Sequence, residues 1–333
     1  MSAQTTQNTT ALNPHQQNMA AIAALTATGN TEQLKTVLKA GLDAGLAINE
    51  IKEALVQLYA YCGFPRSLNA LGIFKGVLEE RKAKGINDKE GKPIIVENNT
   101  NDKYEQGRKV LEQLTKTPQA KPAPGFGEFA PRADAFLKEH LFADIFFNDV
   151  LNYRQREFVT ISALAAMAGV EPQLQAHIGM GKNTGITNDQ LKELCIIIEK
   201  CAGRTQANIL RKQIGEPELP LIQQDMMVRI AEIEIVPEYL IEYKRILMEE
   251  FMVSVKSEPG VIAIYPMFKK DNPTQCSIIE VYAGNEAYQA HLQSPQFKLY
   301  KSRTAQMVKS LKLIEMDPLD TATMSLIFKK IDK

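Results

Sequence analysis

Apolar positions along this chain recur with a helical period up to about residue 216, and alternate only after Pro217 and Pro220. Ala20 to Leu25 form an apolar run closed by Gly29. Residues 32–44 place Leu34, Val37, Leu38 and Leu42 on one face, and Gly45 closes them. Ile51, Ala54, Leu55, Leu58 and Tyr59 mark a third helix, broken at Gly63, and Pro65 stands where a first helical position would open 66–80. Such short Gly or Pro breaks predict antiparallel helical hairpins. Residues 82–101 are charged and Gly/Asn-rich and read as a connector. Residues 104–114 read as a short amphipathic helix and 117–127 as a loop. Residues 133–149 read as a helix with Phe136, Leu137, Leu141, Ile145 and Phe146 in its stripe.

The next stretch, from Arg156 through His177 to Asn208, repeats an earlier one. Gly169, Gly181, Gly185, Lys192, Glu193 and Gly203 fall on Gly29, Gly41, Gly45, Lys52, Glu53 and Gly63. Glycines recurring at matched helix ends mean that the same backbone turns are made twice. The first copy has Gln17 and Val37 where the second has Glu157 and His177.

Beyond Pro220 the expected elements are a strand over 227–236 (Val228, Ile230, Ile233, Ile235) and a helix from Pro237 to about Ser257. Strands over 261–265 and 276–282 follow, then a helix capped by Asn285 and interrupted near Ser294-Pro295, and a last strand over 311–316. This β-α-β-β-α-β order is the ferredoxin-like arrangement.

Composition narrows the function classes. The chain has 333 residues, a length that predicts two or three domains. Its 39 basic and 39 acidic residues are interleaved, so no clustered basic face points to nucleic acid. No apolar run is long enough to span a bilayer, and no membrane association is expected. The four cysteines, Cys62, Cys195, Cys201 and Cys276, lack metal-ligand or disulfide-framework spacing; Cys195 falls in an apolar stripe and reads as a core residue. Residues 1–15 are expected to be disordered. A cytoplasmic location is expected, with the periplasm as the alternative if a signal peptide was removed ahead of Met1.

Arg156-Glu157-Phe158-Val159-Thr160-Ile161-Ser162-Ala163-Leu164-Ala165-Ala166, then Gly169-Val170-Glu171-Pro172-Gln173-Leu174-Gln175-Ala176-His177 and Asn183-Thr184-Gly185-Ile186-Thr187, resemble the carboxymuconolactone decarboxylase family. Tyr59-Ala60-Tyr61-Cys62-Gly63-Phe64-Pro65, with Asn69-Ala70, resembles that family's later helix junction. Glu280-Val281-Tyr282, Glu286-Ala287-Tyr288, His291-Leu292 and Ser294-Pro295-Gln296-Phe297 resemble the antibiotic biosynthesis monooxygenase-like domains, which include quinol monooxygenases. The related alkylhydroperoxidase D branch uses a CxxC with a His four residues on. Here those cysteine positions are Val170 and Gln173, so dithiol peroxidase chemistry is disfavoured.

What remains is a carboxylate and an imidazole, the kit for acid–base catalysis. The resemblance puts His177 in the site as proton donor and Glu157 as its orienting or relaying partner. Glu157 has a competing reading, as a first-turn charge on the helix dipole. Arg204, just past Gly203, is a candidate to bind a substrate carboxylate. Cys62 is the first copy's reactive candidate, weighed against a buried structural thiol. His291 and Tyr288 form a possible second site, weighed against a dimerisation domain. Tyr239 and Tyr243 read as core or interface residues.

The expected fold is multidomain: all-α alkylhydroperoxidase D-like helical repeats followed by an α+β ferredoxin-like domain of the dimeric α/β barrel type. The expected boundaries are a first helical unit at 16–85, a connector at 86–130, a second unit at 131–216 and the ferredoxin-like domain at 225–320. The leading expected function is a cofactor-independent lyase acting on a small carboxylated lactone or ring acid, in a homo-oligomer without metal or cofactor. The alternatives are a cofactor-free quinol or phenol monooxygenase in the C-terminal domain and a non-catalytic binding scaffold. The lyase predicts a polar pocket joining Glu157 and His177; the oxygenase predicts an apolar cavity containing His291.

Overall fold

The computed structural model describes residues 11–219, 226–258 and 260–318. The chain divides into two compact units, 1–219 and 220–333. No helix among the described residues is long and apolar enough to cross a membrane.

The first unit is helical. Its first copy comprises α1 (Pro14–Thr28), α2 (Thr31–Asp43), α3 (Ile48–Cys62) and α4 (Phe64–Ala83). After α5 (Lys103–Thr115) come the short helices α6 (Phe126–Phe129) and α7 (Pro131–Ala135) and a π-helix (Phe136–Ile145). The second copy is α8 (Tyr153–Ala165), α9 (Glu171–Asn183), α10 (Asn188–Ala202) and α11 (Arg204–Gln213). Helices α1 and α8 are apolar on nearly every side, so they form the centre of the unit; in α8 every residue from Arg156 to Ala165 is buried. The other helices of the two copies pack around that pair, while α5 and the π-helix share a separate apolar cluster with Met180 of α9.

The repeat is written in the glycines. Gly29 and Gly169 have φ of 75° and 79°, Gly45 and Gly185 95° and 96°, and Gly63 and Gly203 84° and 92°. At Gly181 an added Cβ would lie 2.8 Å from Ile161 Cδ1, and at Gly41 3.0 Å from Leu46 Cδ1, so both matched positions also serve close packing. The copies differ at the start of their third helix. Thr187 caps α10 through its side chain, whereas Ala47 has none to offer α3. The connector compensates: Lys89 and Glu90 carbonyls accept from the N–H groups of Ile48 and Asn49 at 2.8 and 3.0 Å.

Three expectations change in this unit. Of the stretch expected to be disordered, 1–10 lie outside the described residues, whereas Leu12 is fully buried, its N–H donates to Glu193 Oε2 at 2.8 Å, and α1 starts at Pro14. The single helix expected over 133–149 is α7 followed by the π-helix. There Gly107 of α5 lets the Lys138 carbonyl approach so closely that a Cβ would lie 1.8 Å from its oxygen. The fully buried Lys138 ammonium donates to Asp134, Tyr104 and the Ala120 carbonyl, which holds this segment onto α5. Finally, α8 begins at Tyr153 under an Asn152 cap, so Glu157 lies past the first turn and its reading as a dipole-compensating end charge falls.

The second unit contains β1 (Met227–Ile235), a short 3₁₀ turn (Pro237–Tyr239), α12 (Leu240–Ser257), β2 (Val261–Phe268), β3 (Gln275–Tyr282), α13 (Asn285–Gln293), α14 (Pro295–Thr304) and β4 (Val308–Met316). The strands form an antiparallel sheet in the order β2-β3-β1-β4, the ferredoxin-like arrangement. Strand β2 runs through Pro266, which an edge strand tolerates because one side needs no ladder donors. Ser294, not Asn285, is a side-chain cap here, accepting from the Phe297 N–H at 3.3 Å.

The expected face of β1 is corrected. Its buried residues are Arg229, Ala231, Ile233 and Ile235, while Val228 and Ile230 fall on the other face. A strand alternates with period two, so Ile230 and Ile233 cannot share a side. Val228 instead joins Met226, Ile279 and Val281 in a small apolar cluster.

Candidate active sites

The helical unit brings Glu157 and His177 together. α8 and α9 run past each other so that His177 Nδ1 lies 2.7 Å from Glu157 Oε2. A carboxylate only accepts, so the network assigns the hydrogen to Nδ1 and leaves Nε2 as the free ring nitrogen. Glu157 is fully buried and His177 nearly so. The first copy completes this surrounding, because α3 packs on α8. Glu53, Gln57 and Tyr61 project from α3 at four-residue spacing, the repeat of one helix face. Arg156, also fully buried, donates to Glu53 Oε2 at 3.0 Å, Gln57 Oε1 at 3.0 Å and the Asn148 carbonyl at 2.7 Å. Gln57 Nε2 donates in turn to Thr160 Oγ1 at 2.8 Å.

Tyr61 is the member that sequence reasoning missed. Its ring meets His177 edge-on at 5.3 Å, and its hydroxyl is buried with no hydrogen-bond partner of good geometry. Burial, with the nearby Glu157 charge adding to it, pushes this phenol well above its ordinary range. Glu157 Oε1 is also buried without a partner. A buried carboxylate oxygen left without a donor is costly. The available signal was the four-residue spacing of Glu53, Gln57 and Tyr61 along one side of α3.

The matching half-site in the first copy is inert. Gln17 donates from Nε2 to Glu193 Oε1 at 2.8 Å, and Val37 packs against the core. A cavity of about 220 Å³ in this unit is lined by His15, Arg154, Gln155 and Gln190 among others, but by neither Glu157 nor His177.

The remaining expected residues are placed as follows. Arg204 donates from Nε to Glu199 Oε1 at 2.7 Å, and Arg211 holds the other oxygen of that carboxylate at 2.7 Å. Cys62 donates its thiol to the Leu58 carbonyl at 3.2 Å, and burial pushes its pKa up, against the pull of Arg66. Burial likewise pushes Cys195, Cys201 and Cys276 to about 11. Such thiols are poor nucleophiles at neutral pH. No group of His, Cys, Asp or Glu suited to hold a metal occurs among the described residues.

His291 and Tyr288 are brought together in the second unit. A cavity of about 460 Å³ lies between the sheet and the helices, with mostly apolar walls that include Ile233, Leu247, Ile264 and Phe297. His291 Nδ1 lies 3.1 and 3.3 Å from the two oxygens of Glu258, which also accepts from Gln296 Nε2 at 2.6 Å. The imidazole is thereby oriented, and its Nε2 stands 3.9 Å from Glu250 Oε1. An aromatic row runs along the wall, with ring centroids 5.4 Å from Tyr282 to His291, 4.6 Å from His291 to Phe297 and 6.0 Å from Phe297 to Tyr300. Tyr243, expected as a core residue, is fully buried, with its hydroxyl 2.8 Å from that of Tyr300. Burial raises the carboxyls of Glu250 and Glu280.

These features define a protein with a duplicated helical unit, carrying one Glu/His pair, ahead of a ferredoxin-like domain with an aromatic-walled cavity. Comparison with known proteins assigns both parts. Residues 2–76 and 131–211 match the carboxymuconolactone decarboxylase family, and residues 226–303 match antibiotic biosynthesis monooxygenase. The chain therefore joins two carboxymuconolactone decarboxylase segments to an antibiotic biosynthesis monooxygenase domain.

Among solved structures, a protein from Bacteriodes thetaiotaomicron named as a candidate antibiotic biosynthesis monooxygenase is 44% identical; the match covers 29% of this chain and 91% of that one, with a TM-score of 0.29. A similarly named protein from Nitrosomonas europaea is 19% identical over 29% of this chain and 94% of that one, with a TM-score of 0.28. No curated protein matches the chain.

Proposed function

We propose that the C-terminal unit is an oxygenase for a dihydroxylated aromatic ring, a quinol or related phenol, with His291 as the base that starts the reaction. The observation that carries this reading is the cavity. About 460 Å³ is a ligand-sized space, and His291 stands on its wall already oriented by Glu258. The aromatic row offers faces and edges to a planar ring. Deprotonation of a quinol hydroxyl at His291 Nε2 makes the ring electron-rich enough to reduce dioxygen. One oxygen atom forms a C–O bond, the O–O bond breaks, and the other atom leaves as water. The product is a hydroxyquinone. The quinol supplies all four electrons, so the overall reaction balances without an added reductant. Oxygen consumption by the full chain with 1,4-naphthalenediol tests this. His291→Ala is expected to lower the enzyme-dependent rate by roughly 10²- to 10⁴-fold, and a variant as fast as the parent would overturn the assignment.

A second reading concerns the helical unit and is favoured by the 2.7 Å contact between His177 and Glu157. There a small carboxylated lactone loses CO2, the C–C bond electrons pass into a conjugated carbonyl, and protonated His177 delivers a proton to the carbon. Glu157 stabilises the imidazolium, and Tyr61 borders the pair. Arg204 already has a carboxylate partner in Glu199 and is left out of this reading. His177→Ala and Glu157→Gln are each expected to abolish carboxymuconolactone decarboxylation by the full chain; turnover surviving in either sinks that residue's role.

A further inference from the structure

Arg229 has no part in the reaction just described, yet it stands on the wall of the same cavity. It lies on β1 on the cavity side, followed on that side by Ala231 and Ile233, and is only 6% exposed. A guanidinium in such a place is costly to desolvate unless its donors are paired.

Its partners leave that pairing incomplete. In the sheet register Arg229 stands between Glu280 on β3 and Glu315 on β4. Nη2 reaches Glu315 Oε1 at 3.4 Å, a long contact to a side chain that is 79% exposed and so screened by solvent. The Tyr288 ring lies 4.3 Å from the guanidinium carbon and offers a π-face to the charge, and its phenol oxygen adds to the support of that charge. Nε is buried with no hydrogen-bond partner. Glu280 accepts from the Tyr282 hydroxyl at 3.3 Å, and burial raises its carboxyl, with Arg229, Tyr282 and His291 opposing. Lys301 also lines the cavity. The unpartnered Nε and the weakly held Nη2 form one edge of a rigid fork, the geometry that recognises a carboxylate bidentately.

We propose that Arg229 is the specificity-determining anchor of this cavity, and that the substrate is an aromatic ring bearing a carboxylate. The assignment rests on the reading of the cavity as an aromatic-binding site. The carboxylate would engage Arg229 at the Tyr288 end while the ring lies against Tyr282, His291 and Phe297.

The test is calorimetric binding of three probes to the full chain: 1-hydroxy-2-naphthoate, its methyl ester, and 1-naphthol. The parent is expected to bind the acid about 10- to 100-fold more tightly than the ester. Arg229→Met should remove that preference while leaving ester affinity unchanged, and Arg229→Lys should retain part of it. Ester binding by Arg229→Met also shows that the variant folds. Equal binding of acid and ester by the parent, or a preference that survives Arg229→Met, overturns the anchor while leaving the aromatic cavity standing. A phenolate-binding Arg229 would show itself differently: 1-naphthol would gain affinity as pH approaches its ionisation, lose that gain in Arg229→Met, and leave no acid–ester difference. That outcome overturns the carboxylate. Binding of none of the probes removes the aromatic-cavity reading and the anchor with it.

Discussion

Two carboxyls on the wall of the C-terminal cavity tie its chemistry to pH. Burial raises Glu250, with the Glu258 charge adding to the rise and Ser254 and His291 opposing it. Burial also raises Glu280, with Glu250 adding and Arg229, Tyr282 and His291 opposing. A carboxyl whose folded pKa exceeds its unfolded value binds its proton more firmly in the folded state. Its contribution is therefore fully present below the ordinary carboxylate range and is lost as pH rises through the raised value. Urea midpoints measured from the ordinary carboxylate range upward should decline for the C-terminal unit, and the decline should be shallower in the Glu250→Gln/Glu280→Gln double variant. Identical slopes in parent and variant would contradict this.

Single residues were also where sequence reading reached furthest and failed most. Glu157 and His177 are legible because the family resemblance runs through both positions, and Glu157 also stands out in an apolar helix. Tyr61 and Arg229 are not, because an isolated tyrosine or arginine looks like any half-buried side chain until the fold shows what it faces. Tyr61 faces its partners only through the packing of α3 on α8, which no local pattern encodes.

At the scale of elements, glycine carried the most information. Gly63 and Gly203 have φ/ψ of 84°/156° and 92°/168°, a region that only glycine occupies readily. Each starts the next helix at the same turn of its copy, so the repeat was visible without any structure. Gly63→Ala and Gly203→Ala should each destabilise the helical unit by about 1–3 kcal/mol in denaturant unfolding. A loss at one site and none at the other would deny that the turns are equivalent. The π-helix was not legible, because its apolar stripe also suits an ordinary helix and the approach of Lys138 to Gly107 that accompanies it is tertiary. The faces of β1 were misread for a similar reason. Both are partly apolar, and Arg229 occupies an inward position where alternation alone expects a hydrophobe.

At the scale of the whole molecule, two kinds of site share one chain. The helical unit keeps one Glu/His pair out of two copies, and the copy that lost its own pair supplies Tyr61, Glu53 and Gln57 to the other. The first copy thus has a structural role: without α3, Arg156 would be buried with its carboxylate partner gone. The ferredoxin-like unit carries a cavity of about 460 Å³ with His291 on its wall, held by Glu258. The family organisation was legible over both units, since it rests on turns and helix junctions spread along the chain. The choice between their chemistries was not, because it depends on which histidine borders open space.

Isotopic labelling addresses that choice most directly. The full chain is given ¹⁸O₂ and 1,4-naphthalenediol, and the products are read by mass spectrometry against the uncatalysed oxidation. Enzyme-dependent formation of a hydroxynaphthoquinone carrying one ¹⁸O atom, lost in His291→Ala, is expected. Labelling no faster than the uncatalysed background, or equal labelling by His291→Ala, would contradict it.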